Sequence, residues 1–179
     1  MKNFVRMSFT LFVVCVVAGS LLAVVNRATK DRIAENAIRE TESALKEVFP
    51  SATDFREEVK DKLWDAYNDG EKIGAVLKTS TQGYGGIIEI MLGVDNQNRV
   101  SEVKIVKHSE TPGLGSKIVL DPFLDQFKEK TAEEIFLKRD NPSGTIDAIT
   151  AATISSRAVT NQIRKALQSY IESYIKEQH

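Results

Sequence analysis

The sequence has little cysteine and little histidine, and this limits the chemistry that its own side chains can perform. Among its 179 residues are one cysteine, Cys15, and two histidines, His108 and His179. A single cysteine cannot form an internal disulfide, and these residues are too few for a cysteine-ligated iron–sulfur cluster or a zinc-finger type of site. Any redox chemistry must therefore come from an organic cofactor that the chain binds.

A surplus of charge of either sign is also absent. The chain has 24 Lys and Arg residues against 25 Asp and Glu residues, which gives a formal net charge of -1. Proteins that bind the phosphate backbone of nucleic acids need a surplus of positive charge, so the composition argues against a nucleic-acid partner. The length leaves room for one folded domain with an appendage and excludes a multidomain enzyme.

One segment near the N-terminus contains no charged residue. Residues 9–25 read FTLFVVCVVAGSLLAVV, and Lys2 and Arg6 precede them. These 17 residues lie at the short end of the about 17 to 25 that cross the hydrocarbon core of a bilayer, and uncharged neighbours can extend the run. We therefore predict a cytoplasmic N-terminus at residues 1–8 and a transmembrane anchor at residues 9–26.

A cleavable signal peptide is the alternative for this segment. Its apolar core would be residues 11–17, and residues 18–20 (AGS) would be a small-residue cleavage site. Cleavage there would leave the apolar sequence LLAVV exposed at a new N-terminus, whereas retention places the whole run in lipid. An uncleaved anchor fits the sequence better.

The flanking charges do not decide on which side of the membrane the rest of the chain lies. Arg27, Lys30 and Arg32 follow the span as closely as Lys2 and Arg6 precede it, so the positive-inside rule favours neither orientation. A long domain can be translocated whatever its flanking charge, and the lack of cysteine beyond the span is consistent with export. A soluble domain outside the cytoplasm is therefore compatible with the sequence.

Beyond the span the apolar pattern changes at Pro50. Apolar residues recur at three- and four-residue spacing up to that proline, which predicts a helical stalk at residues 27–49 and a folded domain at residues 50–179. The domain begins with strand-like segments separated by the turns NDG and DNQN. The predicted strands are residues 63–67, 73–79, 87–94 and 100–107. Two hairpins or a meander would join them into an antiparallel sheet.

The second half of the domain has helical signals. We predict a helix around residues 122–128, another from a capping box at residues 131–134 (TAEE), a short strand near residues 145–149, and a long C-terminal helix. The apolar stripe of that last helix is Val159, Ile163, Ala166, Leu167, Tyr170, Ile171 and Tyr174. The predicted fold class is α+β, with an N-terminal transmembrane helix and stalk followed by an antiparallel sheet packed by helices.

The most informative motif is DAITAATIS, residues 147–155, immediately before the C-terminal helix. Small residues around Thr153 would expose its hydroxyl to another molecule. The free N–H groups and dipole at the start of the helix would stabilise a phosphate at Thr153 or Ser155. The alternative is that either hydroxyl only caps the helix.

Two glycine-containing segments precede this motif. Residues 110–115 (ETPGLG) form a tight loop that could bring backbone N–H groups close to a ligand, and residues 83–86 (GYGG) could do the same beside the aromatic ring of Tyr84. An ordinary turn is the alternative for each segment. The ETPGLG segment is not a phosphate-binding P-loop, since Glu110 occupies the position of the first P-loop glycine. The sequence also contains no GxGxxG motif.

The three motifs, in this order and after an N-terminal anchor, resemble those of RnfG, the FMN-binding component of the Rnf ion-translocating electron transport complex. They also resemble those of its relative NqrC, a component of the sodium-pumping NADH:quinone oxidoreductase. The family's C-terminal motif is D-x-x-[ST]-G-A-T-x-[ST], and this chain matches it at all positions except Ala151, where the family has glycine. The resemblance covers most of the chain.

The resemblance implies a site. In this family the last threonine of the motif carries FMN through a phosphoester bond, which corresponds to Thr153. Asp147 and Ala151 would belong to the sequence that a magnesium-dependent flavin transferase recognises when it transfers FMN from FAD. The residues expected around the cofactor are Tyr84, Gly85, Gly86, Glu110, Thr111, Leu114, Gly115, Thr150, Ala152 and Ser155.

The resemblance also implies a function. We expect a single-pass protein of a bacterial or archaeal cell membrane, with its soluble domain outside the cytoplasm, that relays electrons between other Rnf-type subunits with iron–sulfur and flavin centres. It would be a carrier rather than a self-contained enzyme. Alternatives are an anchored FMN-binding protein of another respiratory reductase, a redox sensor, and an interaction domain without a cofactor. His108 is expected to be structural or solvated rather than catalytic.

Overall fold

The structure, a computed structural model, describes the backbone of residues 2–177. Side chains within this range are described except at residues 2, 3, 5, 31, 34 and 174–177. The chain divides into two compact units, Met1–Glu40 and Thr41–His179. The division falls inside the predicted stalk, at residues 27–49.

The first element is a helix, α1, Lys2–Val48. Within it, the segment Arg6–Lys30 is long and apolar enough to cross a membrane by its length and composition. The helix ends two residues before Pro50, because proline disfavours helical backbone in the residue that precedes it. The predicted anchor and stalk thus lie on the same helix.

A five-stranded antiparallel sheet follows, with the strands in sequence order. The strands are β1 (Asp54–Val59), β2 (Leu63–Asn68), β3 (Glu71–Gln82), β4 (Ile87–Asp95) and β5 (Val100–Lys107). The sheet is a meander built from the four predicted strands and one further strand, β1. That strand escaped prediction because its sequence, DFREEV, is polar and almost fully exposed at the sheet edge, so it lacks an apolar alternation.

Each face of the sheet has its own apolar core, as the alternation of side chains along a strand requires. On one face Ile88, Ile90 and Leu92 of β4 belong to a cluster with the C-terminal helix. On the other face Trp64, Val76 and Met91 pack with the end of α1. The residues that α1 contributes there, together with the residue just after it, are Ala44, Leu45, Val48 and Phe49.

The helix predicted at residues 122–128 is shorter than expected. It consists of one α-helical turn, α2 (Asp121–Leu124), between two 3-10 turns, Gly115–Val119 and Asp125–Phe127. The rings of Phe123 and Phe127 pack edge to face, with their centroids 5.4 Å apart. This segment buries its aromatic side chains in the same core as β4.

No helix begins at residues 131–134. The backbone N–H of Thr131 donates to the carboxylate of Glu134 at 2.9 Å, as in a capping box, but the chain forms only a turn. Ile135 and Leu137 then enter the core, which draws the chain out of a helical path. The short strand predicted at residues 145–149 is reduced to a single bridge between Leu137 and Ile146.

The C-terminal helix, α3, spans Thr153–Glu177. Val159, Ile163 and Leu167 are fully buried against the sheet, and their helical spacing explains why one stripe of α3 covers β3 and β4. Of the predicted stripe, Ala166, Tyr170 and Ile171 pack at its margin, whereas the side chain of Tyr174 lies outside the described residues. Because α3 begins at Thr153, the phosphate-binding candidate is its first residue.

Candidate functional site

The three motifs line one cavity of about 410 Å³. This volume lies in the range of about 300 to 1,000 Å³ that is usual for ligand sites. The lining residues are Tyr84, Glu110, Thr111, Leu114, Gly115, Ala151, Ala152, Thr153, Ile154 and Ser155. Segments that are far apart in the sequence therefore meet at the start of α3.

Glu110 connects the three motifs. Its side chain is buried, with 5% of the residue exposed. One carboxylate oxygen accepts a hydrogen bond from the backbone N–H of Gly85 at 3.1 Å, and the other accepts one from the hydroxyl of Ser155 at 2.5 Å. Through these two hydrogen bonds Glu110 holds the three segments against one another.

Glycine is required where these segments approach Glu110. A Cβ atom at Gly115 would collide with the Glu110 carboxylate and lie 3.0 Å from the Ser155 hydroxyl. A Cβ atom at Gly85 would collide with the carbonyl oxygen of Ser109. Both glycines therefore allow a close approach that no other residue type allows.

His108 has a structural contact at this site. Its Nδ1 accepts a hydrogen bond from the backbone N–H of Glu110 at 3.2 Å. Further along the same loop, the backbone N–H of Gly113 donates to the Ser116 hydroxyl at 2.9 Å. These two contacts stabilise the conformation of the ETPGLG loop.

The turn that presents Thr153 has left-handed backbone at Ala151, with a φ of 63°. This is the position where the family motif has glycine, and left-handed backbone costs a residue with a Cβ about 1 to 2 kcal/mol. Ser156 stabilises the turn, because its hydroxyl accepts from the Ile149 N–H at 3.0 Å and donates to the Ala152 carbonyl at 2.9 Å. The methyl group of Ala151 is therefore accommodated at a cost in strain.

Thr153 has a partner that sequence reasoning missed. A guanidinium nitrogen, Nη1 of Arg139, donates to the Thr153 hydroxyl at 2.9 Å. Ser155 directs its hydroxyl to Glu110, so both hydroxyls have partners outside α3. Arg139 lies fourteen residues before Thr153 in a polar segment without a motif, and no spacing signal could have identified it.

Four of the predicted site residues do not line the cavity. Gly85 and Gly86 lie in the loop just behind it, and Thr150 is exposed on the turn before it. The carboxylate of Asp147 forms an ion pair with Lys138 at 2.6 Å and borders a separate, smaller cavity of about 240 Å³. Ile154, which was not among the predicted site residues, lines the cavity and follows Thr153 in the sequence.

The walls of the cavity combine apolar surface with polar groups. Tyr84, Leu114 and Ile154 are unusually exposed for large apolar residues, at 71%, 45% and 53%. Thr153, with the Arg139 guanidinium beside it, provides a polar end. Such an arrangement suits a flat aromatic group joined to an anionic tail. Within the described residues, no cluster of three or more His, Cys, Asp or Glu side chains could hold a metal ion.

Comparison with known proteins gives two matches to family models. The RnfG N-terminal region matches residues 1–48, and the FMN-binding domain matches residues 83–168. The G subunit of the proton-translocating ferredoxin:NAD⁺ oxidoreductase complex of Clostridium ljungdahlii is 32% identical, over 88% of this chain and 86% of the relative. The corresponding subunit of the Na⁺-translocating complex of Acetobacterium woodii is also 32% identical, over 92% of this chain and 90% of the relative.

The chain belongs to the RnfG family. Among solved structures, NqrC of Shewanella oneidensis matches with a TM-score of 0.50 at 19% identity, over 67% of each chain. The C subunit of the Na⁺-translocating NADH-quinone reductase of Parabacteroides distasonis matches with a TM-score of 0.51 at 24% identity, over 61% of this chain and 60% of that chain. These two likenesses confirm the α+β fold.

The two family matches cover different elements of this RnfG-family protein. The N-terminal match ends where α1 ends, at Val48, and the apolar helix it contains fits a membrane-anchored protein. The FMN-binding match extends from Gly83 to Gln168 and contains every residue that lines the cavity, as well as Arg139. The expected family, fold class and FMN cofactor are thereby confirmed.

Proposed function

We propose that this RnfG-family protein carries FMN covalently on Thr153 and relays electrons within a membrane complex that couples electron transfer to ion movement. The observation that carries the proposal is the cavity, in which three separate motifs meet beside the Thr153 hydroxyl. One relative is named for proton translocation and another for Na⁺ translocation, so either ion is compatible with the proposal.

The residues of the cavity fit FMN. A phosphate on the Thr153 oxygen would lie at the first residue of α3, where the helix dipole favours negative charge, and beside the Arg139 guanidinium. Tyr84, Leu114 and Ile154 provide the apolar surface that the flavin ring requires. When bound, FMN supplies the one-electron redox chemistry that the side chains of this chain lack.

We expect a separate enzyme to attach the flavin. The Thr153 hydroxyl is a weak nucleophile without a base, and its hydrogen-bond partner Arg139 carries only N–H donors, so it cannot accept the hydroxyl proton. A flavin transferase that uses FAD would form the bond between the Thr153 oxygen and phosphorus and break the pyrophosphate bond of FAD. AMP would leave, and the hydroxyl proton would pass to a base of the transferase. Asp147 is exposed and therefore accessible for recognition.

The proposed role is that of a relay and not of the pump. The candidate span has no charged residue between residues 9 and 25, so it offers no path for an ion. The ion pathway and the neighbouring iron–sulfur and flavin centres would belong to other Rnf subunits. A soluble domain outside the cytoplasm is part of the proposal, because covalent attachment retains FMN where no cytoplasmic pool could replace it.

The proposal is tested by expressing the full chain with a flavin transferase and measuring flavin fluorescence after denaturing electrophoresis. The wild-type chain should fluoresce and Thr153→Ala should not. Ser143→Ala is the matched control, since it removes an exposed hydroxyl that lies nearby in the sequence but outside the three motifs, and it should leave the fluorescence in place. If the wild-type chain shows no flavin fluorescence although the transferase is active on another substrate, the result would support an interaction domain without covalent flavin.

A further inference from the structure

We propose that Arg139 binds the phosphate through which FMN is attached, and so serves as a positioning residue for the cofactor. The inference rests on the proposed attachment of FMN to Thr153. It concerns a residue that lies in none of the three motifs and borders the site only because of the fold.

The geometry places the guanidinium beside the atom that would be esterified. Nη1 of Arg139 lies 2.9 Å from the Thr153 hydroxyl oxygen. Once that oxygen is bonded to phosphorus, the unesterified oxygens on the same phosphorus atom lie two bonds from it. These oxygens carry the negative charge of the phosphate. A guanidinium has five N–H donors in a planar fork that matches phosphate oxygens, so it can contact them from this position.

Arg139 is held in place by the residue that follows it. Both carboxylate oxygens of Asp140 accept hydrogen bonds from Arg157, at 2.6 and 2.7 Å. Arg157 lies one helical turn after Thr153 on α3, so this pair fixes the Arg139 segment to the helix that carries the attachment residue. The Arg157 hydrogen bonds lower the pKa of Asp140, and the charge of Arg139 contributes to the same effect, so the carboxylate stays ionised.

The preceding residue is fixed as well. The backbone N–H of Lys138 donates to the Ile146 carbonyl at 2.9 Å, and its ammonium pairs with Asp147 at 2.6 Å. Lys138 and Arg157 are therefore each paired with a carboxylate. Among the side chains that the structure describes, no carboxylate lies within 4 Å of the Arg139 guanidinium, so this cation can pair with an anion on Thr153.

The test compares full chains that have been flavinylated by the transferase and purified in detergent. The variants are Arg139→Gln, Arg139→Lys and the matched control Arg56→Gln, which removes a guanidinium from the exposed strand β1. The measurement is the ³¹P NMR resonance of the ester. We expect Arg139→Gln to displace it, Arg139→Lys to displace it less, and Arg56→Gln to leave it at the wild-type position.

The outcomes separate this inference from the proposed function. A wild-type chain without covalent flavin would overturn both. A flavinylated wild type whose phosphorus resonance is the same in all three variants would overturn the role of Arg139 alone. If Arg139→Gln does not take up flavin, a crystal structure of the flavinylated wild type decides. A guanidinium nitrogen within about 3.2 Å of a phosphate oxygen supports the inference, and a phosphate turned away from Arg139 overturns it.

Discussion

Glu110 shows how a single side chain can determine the shape of a binding site. It is buried, and its two oxygens accept hydrogen bonds from a backbone N–H of one motif and a hydroxyl of another. A buried carboxylate is costly unless its oxygens are hydrogen-bonded, and here both have partners. Removing it would leave the buried hydroxyl of Ser155 and the partly exposed N–H of Gly85 without their acceptor.

We therefore expect Glu110→Ala to lower the free energy of unfolding by about 1 to 3 kcal/mol, because the Ser155 hydroxyl is left buried without a partner whereas water can reach the N–H of Gly85. The measurement is chemical denaturation of the detergent-solubilised chain. Glu133→Ala, at an exposed glutamate, is the control and should change stability by less than about 0.5 kcal/mol. Equal stability in the two variants would mean that Glu110 does not hold the loops together.

Ala151 provides a second prediction at this scale. Its backbone is left-handed, with a φ of 63°, and glycine adopts that conformation without steric cost. Because glycine also has more freedom in the unfolded chain, we expect a net gain of about 0.5 to 1 kcal/mol in Ala151→Gly. Ala152→Gly is the control in the adjacent, buried position and should lose stability. Thermal unfolding of the two variants decides, and a loss in both would contradict the account.

At the scale of elements, the sequence allowed the apolar strands and helices to be predicted, but not the polar segments. The strands β2 to β5 have apolar runs between recognisable turns, whereas DFREEV of β1 has only its pairing with β2 to keep it extended. The TAEE sequence predicted a helix but forms a turn, because Ile135 and Leu137 just after it pack into the core. The contact of Arg139 with Thr153 arises from the fold of a polar loop, and periodicity cannot predict such a contact.

The ion pair between Asp140 and Arg157 is expected to control the order of this loop. Arg157→Gln should increase amide hydrogen exchange at Asp140, Asn141 and Gly144, whose N–H groups donate to carbonyls within the loop. Because the pair is exposed to solvent, global stability should change little. Lys165→Gln, elsewhere on the exposed side of α3, is the control. Unchanged exchange in Arg157→Gln would show that the loop is fixed by other contacts.

For the whole molecule, ionised carboxylates make the fold sensitive to acid. The pKa of Glu47 is lowered by its hydrogen bond to Lys104, and the pKa of Glu134 is lowered mainly by the backbone N–H of Thr131. The pKa of Asp140 is lowered by Arg157. A carboxyl whose pKa is lower in the folded state than in the unfolded state stabilises the fold above its unfolded pKa, and this contribution is lost as the pH falls through its folded pKa.

We therefore expect these three carboxyls to cause no change in the melting temperature above about pH 5. Below about pH 4 the melting temperature should fall, because the same carboxyls take up protons more readily in the unfolded chain than in the folded one. A melting curve at a series of pH values measures this. The triple variant E47Q/E134Q/D140N should show a smaller fall than wild type. A fall of equal size in both chains would assign the acid sensitivity to other groups.

The whole chain combines a helix suited to the membrane with a domain whose cavity is built from three separated motifs. The central claim is that this cavity holds FMN attached to Thr153. The most direct measurement is tandem mass spectrometry of the peptide that contains Thr153, after expression of the full chain with an active flavin transferase. The account predicts that this threonine carries the mass of one FMN less one water. An unmodified Thr153, or FMN on another residue such as Thr150, would contradict it.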